Sequence, residues 1–354
     1  MYETFLRPIL FNLDPEDAHN LALSIGGLAR YAPLQRLLSS IWGVADPRLV
    51  VDAFGLRFPN PIGLAAGMDK KGDALYGFDA MGFGAIELGT ITARPQSGNP
   101  RPRIFRYRSD RALINRMGFP SGGAVAAESR LATVNRQRLR AVLGINLGKT
   151  KLVPLDEALQ DYLFSFKTLY AHADYFVINV SSPNTPELRK LQERGRLEEI
   201  ITGIRDANPQ SKPILVKVAP DLSLAELDQI VDLALAQNLS GIIATNTTLS
   251  RDGLTQASAE SGGLSGRPLY HRSKDFVRHI YEESHGALPI IGVGGISSAE
   301  EVLSMMRAGA CLVQIYTALI YGGPSLVGRI LRDLLGYCQR DGLKNISEIV
   351  GCLK

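Results

Sequence analysis

The sequence contains few cysteines and no long hydrophobic run. Its 354 residues include 3 cysteines, Cys311, Cys338 and Cys352, whose spacing matches neither a disulfide framework nor a zinc site. No uninterrupted apolar stretch approaches the ~20 residues that a membrane-spanning helix needs. The first residues lack the basic start and cleavage pattern of a signal peptide, and they are too acidic for a transit peptide. These absences predict a chain that stays in the cytoplasm or lies on a membrane without crossing it.

The excess of positive over negative charge is also small. The chain has 39 Lys and Arg residues against 35 Asp and Glu residues, so its formal net charge is only +4. This charge gives no indication of a nucleic-acid partner, although it is compatible with an anionic membrane surface or with anionic ligands. The 45% of hydrophobic and 21% of charged residues suit a globular protein with a large core.

Residues 1–42 are predicted to form a small helical extension, here called the head. Asp14 followed by Pro15 is a strong helix start, because an aspartate cap precedes a proline at the first helical position. Apolar side chains recur at helical spacing on each side of it and after Pro33. Two interpretations stay open for these helices. They form a lid on the amino-terminal side of the following domain, or they form an interfacial membrane anchor or hydrophobic ligand tunnel.

Residues 43–354 alternate short apolar runs with amphipathic stretches. Each run is bounded by turn residues, as expected of a strand buried on both faces. About eight strand-then-helix units favour a closed α/β fold, a (β/α)8 TIM barrel, over an open sheet. The predicted strands lie in the runs 61–67, 85–91, 142–148, 175–181, 213–219, 241–247, 289–295 and 312–318.

The longest gap between strands contains the segment RPRIFRYRSDRALINRMGF, which is interpreted as a hairpin inserted over the top of the barrel. Its basic residues outnumber its acidic ones, with only Asp110 as a counterion. The ordinary interpretation is a solvated face. Beside an apolar head, the same side chains could bind anionic lipid headgroups. The basic residues concerned are Arg101, Arg103, Arg106, Arg108 and Arg111.

The active site of such a barrel lies at the carboxyl ends of its strands, where this sequence places mainly amides, hydroxyls and two lysines. None of the five histidines falls at a predicted strand end, and no cluster has metal-ligand spacing, so no metal is expected. The set suits a planar, hydrogen-bonding ligand. The glycines after the last two strands suit a cofactor phosphate such as that of FMN, but they equally suit tight turns without a ligand.

Many segments of the chain, in order, resemble the class 2 dihydroorotate dehydrogenases along nearly its whole length. The resemblance implies oxidation of (S)-dihydroorotate to orotate in pyrimidine biosynthesis, with FMN as hydride acceptor and a membrane quinone as final oxidant. It also implies a peripheral protein at the cytoplasmic face of the membrane, without an obligate protein partner. The segments are LDPEDAH, GLAAGMDKKG, ELGTITARPQSGNPRPRIFR, LINRMGF, INVSSPNTPELR, VKVAPDLS, IATNTT, GGLSGRPL, IIGVGGI and LVQIYTALIYGGP.

The same resemblance implies roles for individual residues. Ser182 is expected to be the catalytic base, and His19 and Arg106 to lie where the quinone enters. The residues expected to hold the substrate are Lys70, Asn115, Arg116, Met117, Gly118, Phe119, Asn179, Asn184, Asn246 and Thr247. Those expected to hold FMN are Ala66, Gly67, Met68, Asp69, Lys70, Thr90, Asn146, Asn179, Lys217, Thr245, Gly266, Gly295, Tyr316 and Thr317.

Two rival functions would require different residues. A class 1-like enzyme with a soluble oxidant would carry cysteine at position 182 and would lack the head. A non-catalytic flavin-binding or membrane-scaffold protein would lack Ser182 or the asparagines. The chain departs from the family at Pro120, which follows the NRMGF segment and has no backbone N–H to donate. This departure concerns the local path of the loop.

Overall fold

The computed structural model describes residues 2–352; Met1, Leu353 and Lys354, at the outer ends of the two predicted segments, lie outside this range. The strands are β1 (Val51–Ala53), β2 (Leu56–Phe58), β3 (Ile62–Leu64), β4 (Ala85–Ile91), β5 (Ile104–Tyr107), β6 (Ala112–Asn115), β7 (Val142–Leu147), β8 (Tyr175–Asn179), β9 (Ile214–Val218), β10 (Gly241–Ala244), β11 (Gly263–Gly266), β12 (Ile290–Val293) and β13 (Leu312–Ile315).

The α-helices are α1 (Arg7–Leu10), α2 (Pro15–Gly27), α3 (Ala32–Trp42), α4 (Leu75–Ala80), α5 (Ala124–Leu131), α6 (Ala158–Leu169), α7 (Arg194–Asp206), α8 (Leu224–Ala236), α9 (Tyr270–Glu283), α10 (Ala299–Arg307), α11 (Thr317–Gly322) and α12 (Leu326–Arg340). A π-helical turn spans Tyr2–Leu6. Short 3-10 turns span Leu28–Arg30, Pro47–Leu49, Arg136–Arg138, Leu155–Glu157, Tyr170–His172, Leu188–Gln192, Arg267–Leu269 and Ile346–Ile349.

Eight parallel strands close into a barrel in chain order, from β3 through β4, β7, β8, β9, β10, β12 and β13 back to β3. The closure pairs Val313 with Ile62. Every residue of β4 is buried, which explains why the barrel strands are continuously apolar in sequence. Each predicted run contains one barrel strand, so the predicted barrel is confirmed.

Helix starts follow the local sequence. The Asp14 side chain accepts hydrogen bonds from the backbone N–H groups of Glu16 and Asp17, at 2.9 and 3.3 Å, and so caps α2. Ser223 and Glu226 form a reciprocal capping box at the start of α8. Both helix starts were predicted from sequence and are confirmed.

The predicted hairpin inserted between two barrel strands is formed by β5 and β6, and it gains a third strand that the sequence analysis did not predict. β11 pairs antiparallel with β6, with Gly263 opposite Asn115. Glycine is required at this position because a Cβ on Gly263 would lie 1.9 Å from Thr247 Oγ1. The small sheet therefore packs closely on the loop after β10.

The head packs beside the barrel. A Cβ on Gly77 of α4 would lie 2.7 Å from the Gly26 carbonyl oxygen of α2, so the two helices are in backbone contact. The amino-terminal side of the barrel instead receives the β1–β2 hairpin, since Phe54 packs on Gly241 at the start of β10. The hairpin thus covers at least part of the amino-terminal side, and the head lies against α4. None of the helices within residues 2–352 combines the length and apolar composition of a membrane-spanning segment.

The basic residues of the hairpin have a role that neither interpretation anticipated, because each of the five contacts the head. The contacts are Arg101 with Glu16 and Asp17, Arg103 with Glu16, Arg106 with the Leu13 carbonyl, Arg108 with the Phe11 carbonyl, and Arg111 with Glu3. The cluster thus joins the hairpin to the head, in addition to any face it shows to solvent.

The head also exposes large apolar side chains that neither the barrel nor the hairpin covers. Phe5, Ile9 and Ile25 are 65%, 64% and 59% exposed. The others are Leu6, Leu13, Leu21, Leu28, Tyr31, Leu37 and Ile41. Such a concentration on one small segment marks an interaction surface.

Candidate active site

A cavity opens at the carboxyl ends of the barrel strands, under the small sheet. Most of the residues predicted to hold substrate or cofactor line it together, although they come from distant parts of the sequence. These are Ala66, Gly67, Lys70, Thr90, Asn115, Met117, Gly118, Phe119, Asn179, Ser182, Asn184, Lys217, Thr245, Asn246, Thr247, Gly266, Gly295, Tyr316 and Thr317.

A buried carboxylate organises the floor of this cavity. Glu87 on β4 is fully buried, and its Oε1 accepts hydrogen bonds from Asn146 Nδ2 at 2.7 Å and Lys217 Nζ at 3.4 Å. Its Oε2 accepts from Gln314 Nε2 at 2.5 Å. Because all three partners come from other strands, Glu87 ties four strands of the barrel together and balances the Lys217 charge.

The amide side chains continue this network across the barrel. Asn146 Oδ1 accepts hydrogen bonds from Thr90 Oγ1 at 2.6 Å and Asn179 Nδ2 at 3.0 Å. Asn179 Oδ1 in turn accepts from Ser181 Oγ at 3.0 Å, and Ser181 Oγ accepts from Asn246 Nδ2 at 2.9 Å. Side chains held in this way are fixed before a ligand enters, which favours recognition of a rigid ring.

The Ser182 hydroxyl lies in the cavity wall and is almost fully buried. Its Oγ accepts a hydrogen bond from the Asn184 backbone N–H at 3.2 Å. The Asn184 side chain donates to Asn115 Oδ1, also at 3.2 Å. The three residues therefore form one wall of polar groups, in which the hydroxyl is the nucleophilic or basic member.

Lys70 also lines the cavity, and its Nζ donates to the Gly67 carbonyl oxygen at 2.6 Å. Burial lowers the pKa of Lys70 to about 8, against an opposing effect of Asp69. The nearby His19 is affected in the same direction, because burial and then the Lys70 charge lower the pKa of its imidazole to about 3. Near neutral pH the site therefore holds a cationic lysine beside a neutral histidine.

The loop that contains Pro120 follows a defined path despite the missing backbone donor. Gly118 and Phe119 both have positive φ, at 67° and 54°. Gln96 Nε2 donates to the carbonyl oxygens of both, at 3.1 and 2.9 Å. The Gln96 side chain thus holds this turn from the side, and Phe119 and Pro120 both line the cavity.

A second cavity lies between the head and the barrel, lined mainly by apolar side chains of α2, α4 and α11. His19, Met68 and Arg106 line it, and Arg106 Nη1 donates to the Leu13 carbonyl at 2.9 Å. Asn115, Met117, Ser265 and Tyr316 line both cavities. The second cavity therefore ends on the same wall as the first.

Three predicted residues line neither of these cavities. Asn146 lies beneath the floor, in the network described above. The Asp69 carboxylate accepts hydrogen bonds from the backbone N–H groups of residues 71–74 and so fixes the loop after β3. Arg116 points outward, where its Nη1 contacts Glu260 at 2.6 Å. In this arrangement all three support the walls of the site.

Sequence reasoning missed Glu87 and Gln314, the two polar residues at the base of the site. Both lie inside short apolar runs, AIELGTI and LVQI, that were treated as uniform strands. A charged residue in a doubly buried strand needs a partner. That requirement was the available signal, but it does not identify the partner.

The structure also brings together a group that sequence spacing did not reveal. Asp228, His279 and Glu283 place one potential ligand atom each within 4.8 Å of one another. His279 Nε2 lies 2.6 Å from Asp228 Oδ1. Sequence spacing alone does not reveal this group, because Asp228 lies on α8 and the other two residues lie on α9. The group lies between α8 and α9 on the outside of the barrel.

Comparison with known proteins identifies the family. The family model described as Dihydroorotate dehydrogenase matches residues 48–337. The chain belongs to the dihydroorotate dehydrogenase family. It is therefore an oxidoreductase of pyrimidine biosynthesis, as the resemblance implied, and its barrel with an amino-terminal helical extension agrees with solved structures of this family.

Relatives of the dihydroorotate dehydrogenase family match nearly the whole chain. A protein of Gloeobacter violaceus named dihydroorotate dehydrogenase (quinone) is 49% identical over 346 residues, which cover 98% of this chain and 97% of the relative. A Thermus thermophilus protein of the same name is 48% identical, with coverages of 97% and 99%.

Two crystal structures of dihydroorotate dehydrogenase from Eimeria tenella have the same fold. The ligand-free structure gives a TM-score of 0.88 at 38% identity, covering 96% of this chain and 99% of that one. The complex with ferulenol gives 0.84 at 39% identity, with coverages of 96% and 95%.

Proposed function

We propose that this dihydroorotate dehydrogenase oxidises (S)-dihydroorotate to orotate with FMN as its cofactor and passes the electrons to a membrane quinone. Residues 43–354 form the catalytic barrel, and residues 1–42 form the head through which quinone enters. The observation that carries the proposal is the convergence of Ser182, Lys70 and four asparagines, Asn115, Asn179, Asn184 and Asn246, on one cavity.

The donors of the cavity floor fit FMN. Lys217 Nζ is almost fully buried and has, among residues 2–352, a single hydrogen-bond acceptor, Glu87 Oε1 at 3.4 Å. Its remaining N–H groups are thus available to donate hydrogen bonds to the pyrimidine end of a flavin ring. When FMN is bound, this ring would accept the hydride from the substrate. Thr90 and Tyr316 line the same cavity, and the backbone turns at Gly266 and Gly295 suit the phosphate.

The remaining polar residues of the cavity fit dihydroorotate. The Lys70 ammonium would hold its carboxylate, and the asparagines would pair with its ring amides. Ser182 would accept the proton from C5 while the hydride leaves C6, so that a C5–C6 double bond forms. A serine hydroxyl is a weak base in water, and the burial of Ser182 removes the water that would compete with the substrate.

The head provides the features expected of a quinone entrance. The second cavity is mainly apolar, ends at Tyr316 on the wall of the first cavity, and includes His19 and Arg106 among its polar residues. Around it, exposed side chains such as Phe5, Ile9 and Ile25 suit insertion into one face of a bilayer. We therefore expect peripheral association with the cytoplasmic face of the cell membrane.

The experiment that tests this function is anaerobic visible spectroscopy of the purified full-length protein. A bound flavin gives a yellow protein whose absorbance should bleach on addition of dihydroorotate and return on addition of a quinone. A protein that carries FMN but does not bleach with dihydroorotate would contradict the substrate. Bleaching that only soluble oxidants reverse would contradict the quinone.

A further inference from the structure

The head and the hairpin insertion are joined by a buried ion pair. Glu16, in the first turn of α2, is 7% exposed, and its carboxylate accepts hydrogen bonds from Arg103 Nε at 2.9 Å and Nη2 at 2.7 Å. Arg103 itself is 9% exposed. A bidentate pair fixes the plane of the guanidinium group, but burial of two charges contributes little net stability. The main effect of this ion pair is therefore to fix the position of the Arg103 guanidinium group.

The remaining donors of Arg103 hold a loop. Its Nη1 donates to the carbonyl oxygens of Ser97 and Asn99, at 2.7 and 2.8 Å. Gly98, between them, has a φ of 78°, and a Cβ there would lie 2.9 Å from Arg103 Nη1. The loop thus wraps around the guanidinium group, and the position of Arg103 sets the position of Asn99.

Asn99 contacts the loop that carries Ser182. Its Nδ2 donates to the Asn184 carbonyl oxygen at 3.2 Å, while its Oδ1 accepts from Lys151 Nζ at 3.0 Å. The Lys151 contact keeps the amide nitrogen directed toward Asn184. Because the Asn184 backbone N–H donates to Ser182 Oγ, Asn99 holds the peptide segment that orients the hydroxyl.

We propose that Arg103, anchored by Glu16 of the head, is a positioning residue for the oxidation of dihydroorotate. Through Asn99 and Asn184 it fixes the orientation of the Ser182 hydroxyl. The head would then contribute to the substrate half-reaction as well as to the quinone half-reaction. This inference rests on the proposed function of the cavity. Arg103 would contact neither substrate nor cofactor but would determine the orientation of the Ser182 hydroxyl relative to the substrate.

The test uses full-length, FMN-loaded protein with Glu16→Gln, Asn99→Ala and the double variant. Asp17→Asn is the matched control, because Asp17 is the next residue of α2 and its side chain pairs only with the exposed Arg101 among the described residues. Rapid mixing with dihydroorotate measures flavin reduction. Mixing of the reduced protein with a short-chain quinone measures reoxidation separately.

Each single variant should slow flavin reduction by about ten- to a hundredfold, since small misplacement of a reacting group has effects of that order. Reoxidation and FMN content should be unchanged, and Asp17→Asn should behave as the parent protein. The double variant should be no slower than the slower single variant, because both changes break one chain of contacts.

The proposal is overturned if Glu16→Gln reduces at the parent rate, if it slows both half-reactions equally, or if the two effects multiply. A merely structural role for Glu16 would lower the melting temperature or the FMN content and leave the rate of the loaded fraction unchanged. Failure of the parent protein to be reduced by dihydroorotate would instead contradict the proposed function. The two failures are therefore distinguishable.

Discussion

The backbone N–H of Asn184 lies 3.2 Å from Ser182 Oγ, and its hydrogen bond occupies one lone pair of the hydroxyl oxygen. A second lone pair and the hydroxyl proton remain for the substrate. Ser182→Ala should leave FMN bound but slow flavin reduction by dihydroorotate roughly 10²–10⁴-fold, the usual contribution of a general base. The measurement is rapid-mixing absorbance under anaerobic conditions. A reduction rate close to that of the parent protein would remove Ser182 from the mechanism.

Orotate affinity should depend on pH through Lys70. The pKa of this lysine is lowered by burial to about 8, so its ammonium loses its proton as the pH rises through that value. We expect orotate binding to weaken above pH 8, with proton uptake on binding there, because a bound carboxylate favours the charged lysine. Titration of the flavin absorbance with orotate at several pH values measures the effect.

The Lys70→Met variant provides the matching control for this pH dependence. Loss of a charge-assisted contact should weaken orotate binding by roughly 1.5–3 kcal/mol at neutral pH. Its affinity should then be flat across the same pH range. A parent protein with flat affinity, or a variant that keeps the parent's pH dependence, would assign the titration to another group.

A bulky side chain at the mouth of the second cavity should separate the two half-reactions. Ala22 lines this cavity and is itself exposed, so Ala22→Trp narrows the entrance without filling the core. Reduction by dihydroorotate should remain, while reoxidation by a long-tailed quinone should fall by about tenfold or more, since the ligand must pass an added indole. Ser24→Trp, an exposed position of α2 that lines neither cavity, should leave both rates unchanged.

Membrane binding should depend on the exposed apolar residues of the head. Phe5, Ile9 and Ile25 contribute little to folding because they are 59–65% exposed, so their replacement by serine should not lower the melting temperature. Burying each of these side chains in a bilayer would contribute roughly 1.5–3 kcal/mol to the binding free energy. The triple variant should therefore bind anionic liposomes at least about a hundredfold more weakly in a sedimentation assay.

Exposed apolar residues outside the head supply the control for this assay. Val125, Leu152 and Leu249 are 58%, 88% and 52% exposed, and their triple replacement by serine should leave liposome binding unchanged. Equal losses in the two triple variants would show that general hydrophobicity, and not the head, governs association.

The sequence was sufficient to predict features whose cause is local. Strands such as Ala85–Ile91 are buried on both faces and appear as continuous apolar runs. The caps of α2 and α8 depend on residues three positions apart or fewer. The residues that line the cavity could also be predicted from the sequence, because parallel strands bring their carboxyl ends to one face of the barrel.

Features that depend on distant pairing were not predictable in the same way. The strand β11 has a glycine-rich sequence with little strand propensity, and only its pairing with β6 defines it. In the sequence, Arg103 cannot be distinguished from the exposed arginines beside it in the hairpin. Its buried partner, Glu16, lies in another helix, so no spacing rule connects the two.

The attachment of the head by charged and polar contacts has a consequence for its behaviour in different surroundings. Coulombic attraction weakens in water containing salt and strengthens where water is excluded. The contacts of Arg101 and Arg111 with the head are half-exposed and so remain sensitive to ionic strength, whereas the Arg103 contact is shielded. A lipid surface that displaces water from these ion pairs would strengthen the contact between the head and the hairpin. Docking on a bilayer and rigidity around the substrate loop would then reinforce one another.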